Sequence, residues 1–110
     1  MSSCLFCKLV NKELPSEIIY ENEKFLVFKD IQPKADFHVL IVPKRHIESP
    51  HHFRENDKDL AIEMFLIAQE IARQNNFEGY KLVFNVGRKG GQLIDHLHLH
   101  FLAGEIRSSV

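Results

Sequence analysis

His96-Leu97-His98-Leu99-His100-Phe101-Leu102 is the stretch that decides the reading of this chain. In an extended strand, successive side chains point to opposite faces. Three imidazoles therefore share one face, while Leu97, Leu99 and Phe101 share the other and face a core. Histidines on one face of a strand lie about 6.6 Å apart along it. Packing alone gives no reason for three titratable rings in alternation. Two chemistries suit the row. Imidazoles at i and i+2 of a strand can reach one zinc ion. Alternatively, a neutral imidazole, whose ordinary pKa is about 6.5, can attack phosphorus while its neighbours orient it and protonate a leaving group.

The sequence around the row extends the pattern. The strand is expected from about Ile94 to Leu102. It follows a glycine-rich turn, Gly87-Arg88-Lys89-Gly90-Gly91-Gln92, whose main-chain N–H groups can face an anion. Before that turn, Leu82, Phe84 and Val86 alternate with Lys81, Val83 and Asn85, which predicts another strand. Leu60, Ala61, Met64, Phe65, Ala68, Ile71 and Ala72 recur at helical spacing, predicting a helix over about 58–75 capped by Asn56 or Asp57. Ile62, Leu66 and Ile67 widen its apolar stripe, so the helix is either a well-buried core element or one that also meets a second subunit. Residues 18–21, 25–29 and 37–42 read as three strands of an antiparallel meander. Residues 4–12 read as a short helix, stopped before Pro15. Runs of adjacent strands with few helices give an α+β fold.

A chain of 110 residues fits one domain, 1–110. Fourteen basic and fifteen acidic residues leave a net charge of −1, so no basic field attracts nucleic acid or an anionic membrane. No apolar run approaches the roughly 20 residues of a membrane span. Met1-Ser2-Ser3-Cys4 lacks the features of a signal peptide. The expectation is a soluble cytoplasmic protein. In such a chain Cys4-x-x-Cys7 reads as metal binding or redox. A thioredoxin-like role needs a βαβ context that the pattern lacks. A structural zinc site needs two further ligands beside the cysteines.

The row and several separated segments together resemble the histidine triad (HIT) superfamily. The signature His-φ-His-φ-His-φ-φ, with φ apolar, is matched over 96–102. Matching segments include Leu14-Pro15-Ser16-Glu17-Ile18-Ile19-Tyr20-Glu21, Phe28-Lys29-Asp30-Ile31-x-Pro33, His38-x-Leu40-Ile41-Val42-Pro43-Lys44-x-His46-Ile47, Asn85-x-Gly87 and Gly90-Gly91-Gln92. The small nucleoside-phosphoramidase branch is the best match. The resemblance implies a five-stranded antiparallel sheet with one short and one long helix, assembled as a homodimer. It implies hydrolysis of purine nucleoside 5′-phosphoramidates or related AMP conjugates through a nucleotidyl-histidine. Dinucleoside polyphosphate hydrolysis and zinc-stabilised nucleotide binding with little turnover are the alternatives.

The resemblance also assigns residues. His98 is the implied nucleophile. His100 binds phosphate and helps position the nucleophile, and His38, behind His98, completes the relay. Asn85 and the backbone near Gly91 hold phosphate, Gln92 binds the nucleotide, and Asp30 accepts from the ribose hydroxyls. Leu5, Phe6, Leu9, Phe28 and Ile31 line the base pocket. Cys4, Cys7, His46 and His96 hold a structural Zn2+, with no organic cofactor. His51 and His52 are expected to be exposed and without a role, and Asp95 to point away from the histidines. Two departures bear on the leaving group. Leu93 stands where the branch carries a small hydroxyl residue. The sequence also runs only eight residues past the triad, whereas longer relatives carry an extension.

Overall fold

The computed structural model describes residues 4–110. In chain order the elements are α1 (Leu5–Val10), β1 (Ile18–Glu21), β2 (Phe25–Lys29), β3 (Ala35–Pro43), α2 (Lys58–Gln74), β4 (Lys81–Val83) and β5 (Leu99–Ile106). The strands form one antiparallel five-stranded sheet in the order β1-β2-β3-β5-β4. The fold class is α+β, with one short and one long helix.

Two apolar layers hold the sheet. Phe25 and Val27 of β2, Val39 and Ile41 of β3, and Leu99, Phe101 and Ala103 of β5 pack with Met64, Ala68, Ile71 and Ala72 of α2. Leu26, Phe28, Leu40 and Val42 face the opposite way, against Phe6 and Leu9 of α1. β2 and β3 are therefore buried on both faces, which accounts for their near-continuous apolar runs. The α1 side is thinner, and the histidines face it.

Several boundaries differ from those the sequence predicts. The last strand spans Leu99–Ile106 rather than beginning near Ile94. His96, Leu97 and His98 precede it, yet the alternation survives: Leu97 is buried in the α2 layer, and its N–H donates to the Ile47 carbonyl at 2.6 Å. β4 ends at Val83 because its partner strand begins one residue beyond the Val83–His100 pairing. On α2, Ile67 is buried, whereas Phe65, expected in the core stripe, is 50% exposed. Asp57 stands at the N-cap position of α2, but its carboxylate turns back to accept the Arg54 N–H and to pair with Arg45.

β5 passes through Gly104 by a bulge, for the register against β3 shifts between Ala35 and Phe37. Gly104 has φ +77°, and a Cβ there would sit 2.8 Å from the Asp36 side chain. Gly104→Ala is expected to destabilise the fold by about 2 kcal/mol, from left-handed strain and the clash combined. Urea unfolding reads this as a lowered midpoint at constant slope, and an unchanged midpoint would contradict it.

Candidate active site

A cavity of about 560 Å³ opens on the α1 side of the sheet, within the ordinary range for a small-molecule site. Leu5, Phe6 and Leu9 of α1, with Phe28, Ile31 and Leu40, give it apolar walls. Asp30, Lys34, His38, Asn85, Gly91, His98 and His100 give it polar ones. The Phe6 ring stands edge-on to Phe28 at 5.5 Å and to His98 at 5.1 Å. One side chain thus joins the apolar slot to the histidine row.

Main-chain partners fix which nitrogen of each ring carries a proton. His98 Nδ1 lies 2.7 Å from the His96 carbonyl oxygen. A carbonyl can only accept, so Nδ1 donates and Nε2 keeps the lone pair. At His38 the order reverses. The Lys34 N–H donates to His38 Nδ1 at 3.0 Å, so the proton of the neutral ring is on Nε2. That Nε2 lies 3.0 Å from His100 Nδ1 and 3.5 Å from Asp30 Oδ2. His38 donates to His100, whose own proton then resides on Nε2. A directed chain of donors runs from Lys34 through His38 to His100.

The same reasoning separates two groups of residues with metal-ligating atoms. In Cys4, Cys7, His46 and His96 the ligand atoms all lie within 4.8 Å of one another. His96 Nε2 donates to the Pro43 carbonyl at 2.8 Å, which leaves Nδ1 with its lone pair. That Nδ1 lies 3.4 Å from Cys4 Sγ, 3.6 Å from Cys7 Sγ and 3.2 Å from His46 Nδ1. Cys7 Sγ is 3.4 Å from His46 Nδ1. A zinc tetrahedron with ordinary bond lengths has S···N edges of about 3.5 Å and N···N edges of about 3.3 Å. The four residues fit one zinc ion. Asp30, His38 and His100 also cluster, but there His38 directs a proton, not a lone pair, at its neighbours. That group suits a relay.

The phosphate-loop residues divide. Asn85 and Gly91 line the cavity. Gly91 has φ +90°, a conformation that suits glycine, and it lies against the Asn85 side chain. Gln92 does not reach the cavity, correcting the expectation that it holds the nucleotide. It is 3% exposed. Its amide accepts from the Gly87 N–H at 2.9 Å and donates to the Glu48 and Ile94 carbonyls, so it is used up in holding the loop. Asp95 pairs with Arg88 at 2.9 Å. His51 and His52 are exposed, and His52 Nδ1 is 2.8 Å from Ser49 Oγ. Lys34 went unrecognised in the sequence because a main-chain donor carries no residue signature.

Burial is the first cause holding the triad neutral. It lowers the pKa of His98 and His38, and takes His100 down to about 3, with His98, His38 and Lys34 adding to the effect. His100 in the unfolded chain titrates near 6.5, so below that pH the unfolded state binds a proton the folded state refuses. The His100 contribution is complete above about 6.5 and is lost as pH falls toward 3, by about 1.4 kcal/mol per pH unit. Urea midpoints at pH 7, 6 and 5 should fall less steeply for His100→Asn than for wild type. Parallel slopes would refute the assignment.

Comparison with known proteins places the chain. The family model described as scavenger mRNA decapping enzyme C-term binding matches residues 3–110. Protein HitA of Neisseria gonorrhoeae is 39% identical over 103 residues, covering 93% of this chain and 96% of that protein. A histidine triad protein from Clostridium difficile superposes with TM-score 0.92 at 35% identity, over 100% of this chain and 97% of the other. A HIT family hydrolase from Legionella pneumophila gives TM-score 0.91 at 38% identity, over 96% of each chain. A zinc-bound histidine triad family protein from Mycobacterium smegmatis gives 0.82 at 30% identity, over 94% of this chain and 76% of that one. The chain is a member of the histidine triad superfamily, among whose solved structures are proteins called hydrolases and a nucleotide-binding protein.

Proposed function

We propose that the protein is a nucleotide hydrolase that cleaves purine nucleoside 5′-phosphoramidates or related AMP conjugates through a nucleotidyl-His98 intermediate. One observation carries the reading: the His96 carbonyl accepts a hydrogen bond from the His98 Nδ1–H, leaving an unprotonated Nε2 on a buried ring that lines the cavity. In the first step Nε2 bonds to the α-phosphorus and the bond to the leaving nitrogen breaks. That nitrogen takes a proton from solvent water and departs as the amine. In the second step water bonds to phosphorus and releases a proton to solvent, the P–Nε2 bond breaks with its electron pair returning to the ring, and AMP leaves.

The rest of the cavity supports this chemistry. The apolar walls from α1 and Phe28 suit a purine. Asp30 Oδ1 accepts the Gln32 N–H at 2.9 Å, and its carboxylate lines the cavity as an acceptor for ribose hydroxyls. The His100 N–H, Asn85 and the backbone around Gly91 suit the phosphate oxygens. Leu93, 78% exposed on the cavity wall and unable to hydrogen-bond through its side chain, favours a second reading, nucleotide binding with little turnover.

Two features outside the cavity complete the proposal. The Cys4, Cys7, His46 and His96 set supports a structural zinc. The exposed Ile62, Phe65 and Leu66 on α2, with the Phe65 ring edge-on to Phe84 just beyond the edge strand β4, support a homodimer. No helix among the described residues is long and apolar enough to cross a membrane, and the proposed setting is the cytoplasm.

Adenosine 5′-phosphoramidate is the test substrate. Turnover quenched within milliseconds in alkaline denaturant, which preserves a phosphorus–imidazole bond, should show one adenylyl group per chain by intact mass. The group should map to the peptide carrying His98. Turnover without any adduct on the chain would overturn the covalent reading.

A further inference from the structure

The chain beyond the triad returns alongside the start of β3 and grips it at three consecutive residues. The Arg107 main-chain N–H donates to the Lys34 carbonyl at 2.8 Å. Its guanidinium donates from Nη2 to the Ala35 carbonyl at 2.9 Å and from Nη1 to Asp36 Oδ1 at 2.8 Å. Asp36 Oδ2 accepts the Glu105 N–H at 2.9 Å, an approach the Gly104 bulge permits. The segment held in this way is the one whose Lys34 N–H donates to His38 Nδ1, and His38 in turn donates to His100.

We infer that Arg107 is a positioning residue for the histidine relay, holding the Lys34 N–H on His38 Nδ1 and so His38 against His100. The inference rests on the proposed role of that relay. The energetics favour positioning over general stability. Both side chains of the Arg107–Asp36 pair are about half exposed, and exposed ion pairs contribute little to folding. The guanidinium–carbonyl bond to Ala35 is charge-assisted and directional, which suits it to fix a loop. A small displacement of a group that orients reacting atoms has large kinetic consequences.

The experiment compares wild type, Arg107→Ala and Arg107→Lys. Without substrate, amide exchange at Lys34 and the nitrogen resonance of His38 Nδ1 report the hydrogen bond directly. With adenosine 5′-phosphoramidate, kcat and KM are separated. For Arg107→Ala, Lys34 exchange should accelerate about tenfold, the His38 Nδ1 resonance should move toward that of a nitrogen accepting no hydrogen bond, and kcat should fall about tenfold with KM within about twofold. Arg107→Lys, which keeps a cation beside Asp36, should lie between, and it carries the test if the alanine variant does not fold. Unchanged Lys34 exchange and His38 resonance would overturn the inference. So would a kcat loss with both signals unmoved. An inactive wild type would instead fault the proposed activity, since the exchange measurement needs no substrate.

Discussion

His98→Ala is expected to abolish turnover of adenosine 5′-phosphoramidate, lowering kcat by on the order of 10⁴-fold or more while AMP binding stays within about tenfold. The size of the effect follows from what the ring supplies. The ring lines the cavity and its lone pair is left on Nε2 by the 2.7 Å bond from Nδ1 to the His96 carbonyl, and alanine offers no substitute. A 10⁴-fold loss corresponds to about 5.4 kcal/mol of transition-state stabilisation. The phosphate and nucleoside contacts proposed for Asn85, Gly91, Asp30 and α1 remain, so ground-state binding should survive. Folding should suffer modestly, since His98 borders an open cavity and loses one net hydrogen bond, about 1 kcal/mol. Substitution of His51, exposed and remote from the row in sequence, should leave kcat unchanged and serves as the control. A fall of less than tenfold at His98 would remove it as the nucleophile, and loss of AMP binding in parallel would assign it to binding instead.

Much of this site was legible in the alternation of residues 96–102. Period-two spacing put Leu97, Leu99 and Phe101 under α2 and the three histidines opposite, and the structure places them so. What the alternation did not reveal is where hydrogen-bonded pairing begins. The segment before Leu99 bends at residues 94–96 and stays outside the strand ladder, its Leu97 N–H and His96 carbonyl taken by Ile47 and His98. The continuation to Ile106 was hidden because Gly104 looks like a terminator, whereas a bulge lets the strand run through it. Gln92 illustrates a different limit. A polar side chain in a glycine-rich loop reads as a ligand contact, but this one is consumed by main-chain groups, the Gly87 N–H of its own loop and the Glu48 carbonyl after β3. The Lys34 donor and the Arg107 grip depend on backbone groups, which every residue carries and no spacing advertises.

The second large effect concerns the metal set. Protein purified without chelator is expected to contain about one zinc per chain, and Cys7→Ser should lose it together with upward of 15 °C in Tm. A ligand present at a thousand times its Kd stabilises the folded state by about 4 kcal/mol. In a domain of this size each kcal/mol shifts Tm by about 4–8 °C. The four residues come from distant parts of the chain: the start of α1, the segment after β3 and the approach to β5. Zinc held there would tie α1 to the end of the sheet that carries the triad. The consequence reaches the cavity by two routes. His96 is the residue whose carbonyl holds His98, and Phe6, between the two cysteines, packs edge-on against both His96 and His98. Loss of zinc should therefore lower kcat as well as Tm, and returning zinc to chelated wild type should restore both, whereas Cys7→Ser should not recover. Wild type that is already metal-free when purified without chelator, or whose Tm is unchanged by chelation, would sink the assignment. Zinc retained at full stoichiometry in Cys7→Ser would show that the ion is held elsewhere. If Tm falls on chelation while kcat is unmoved, the metal supports the fold alone and His98 is oriented independently of it.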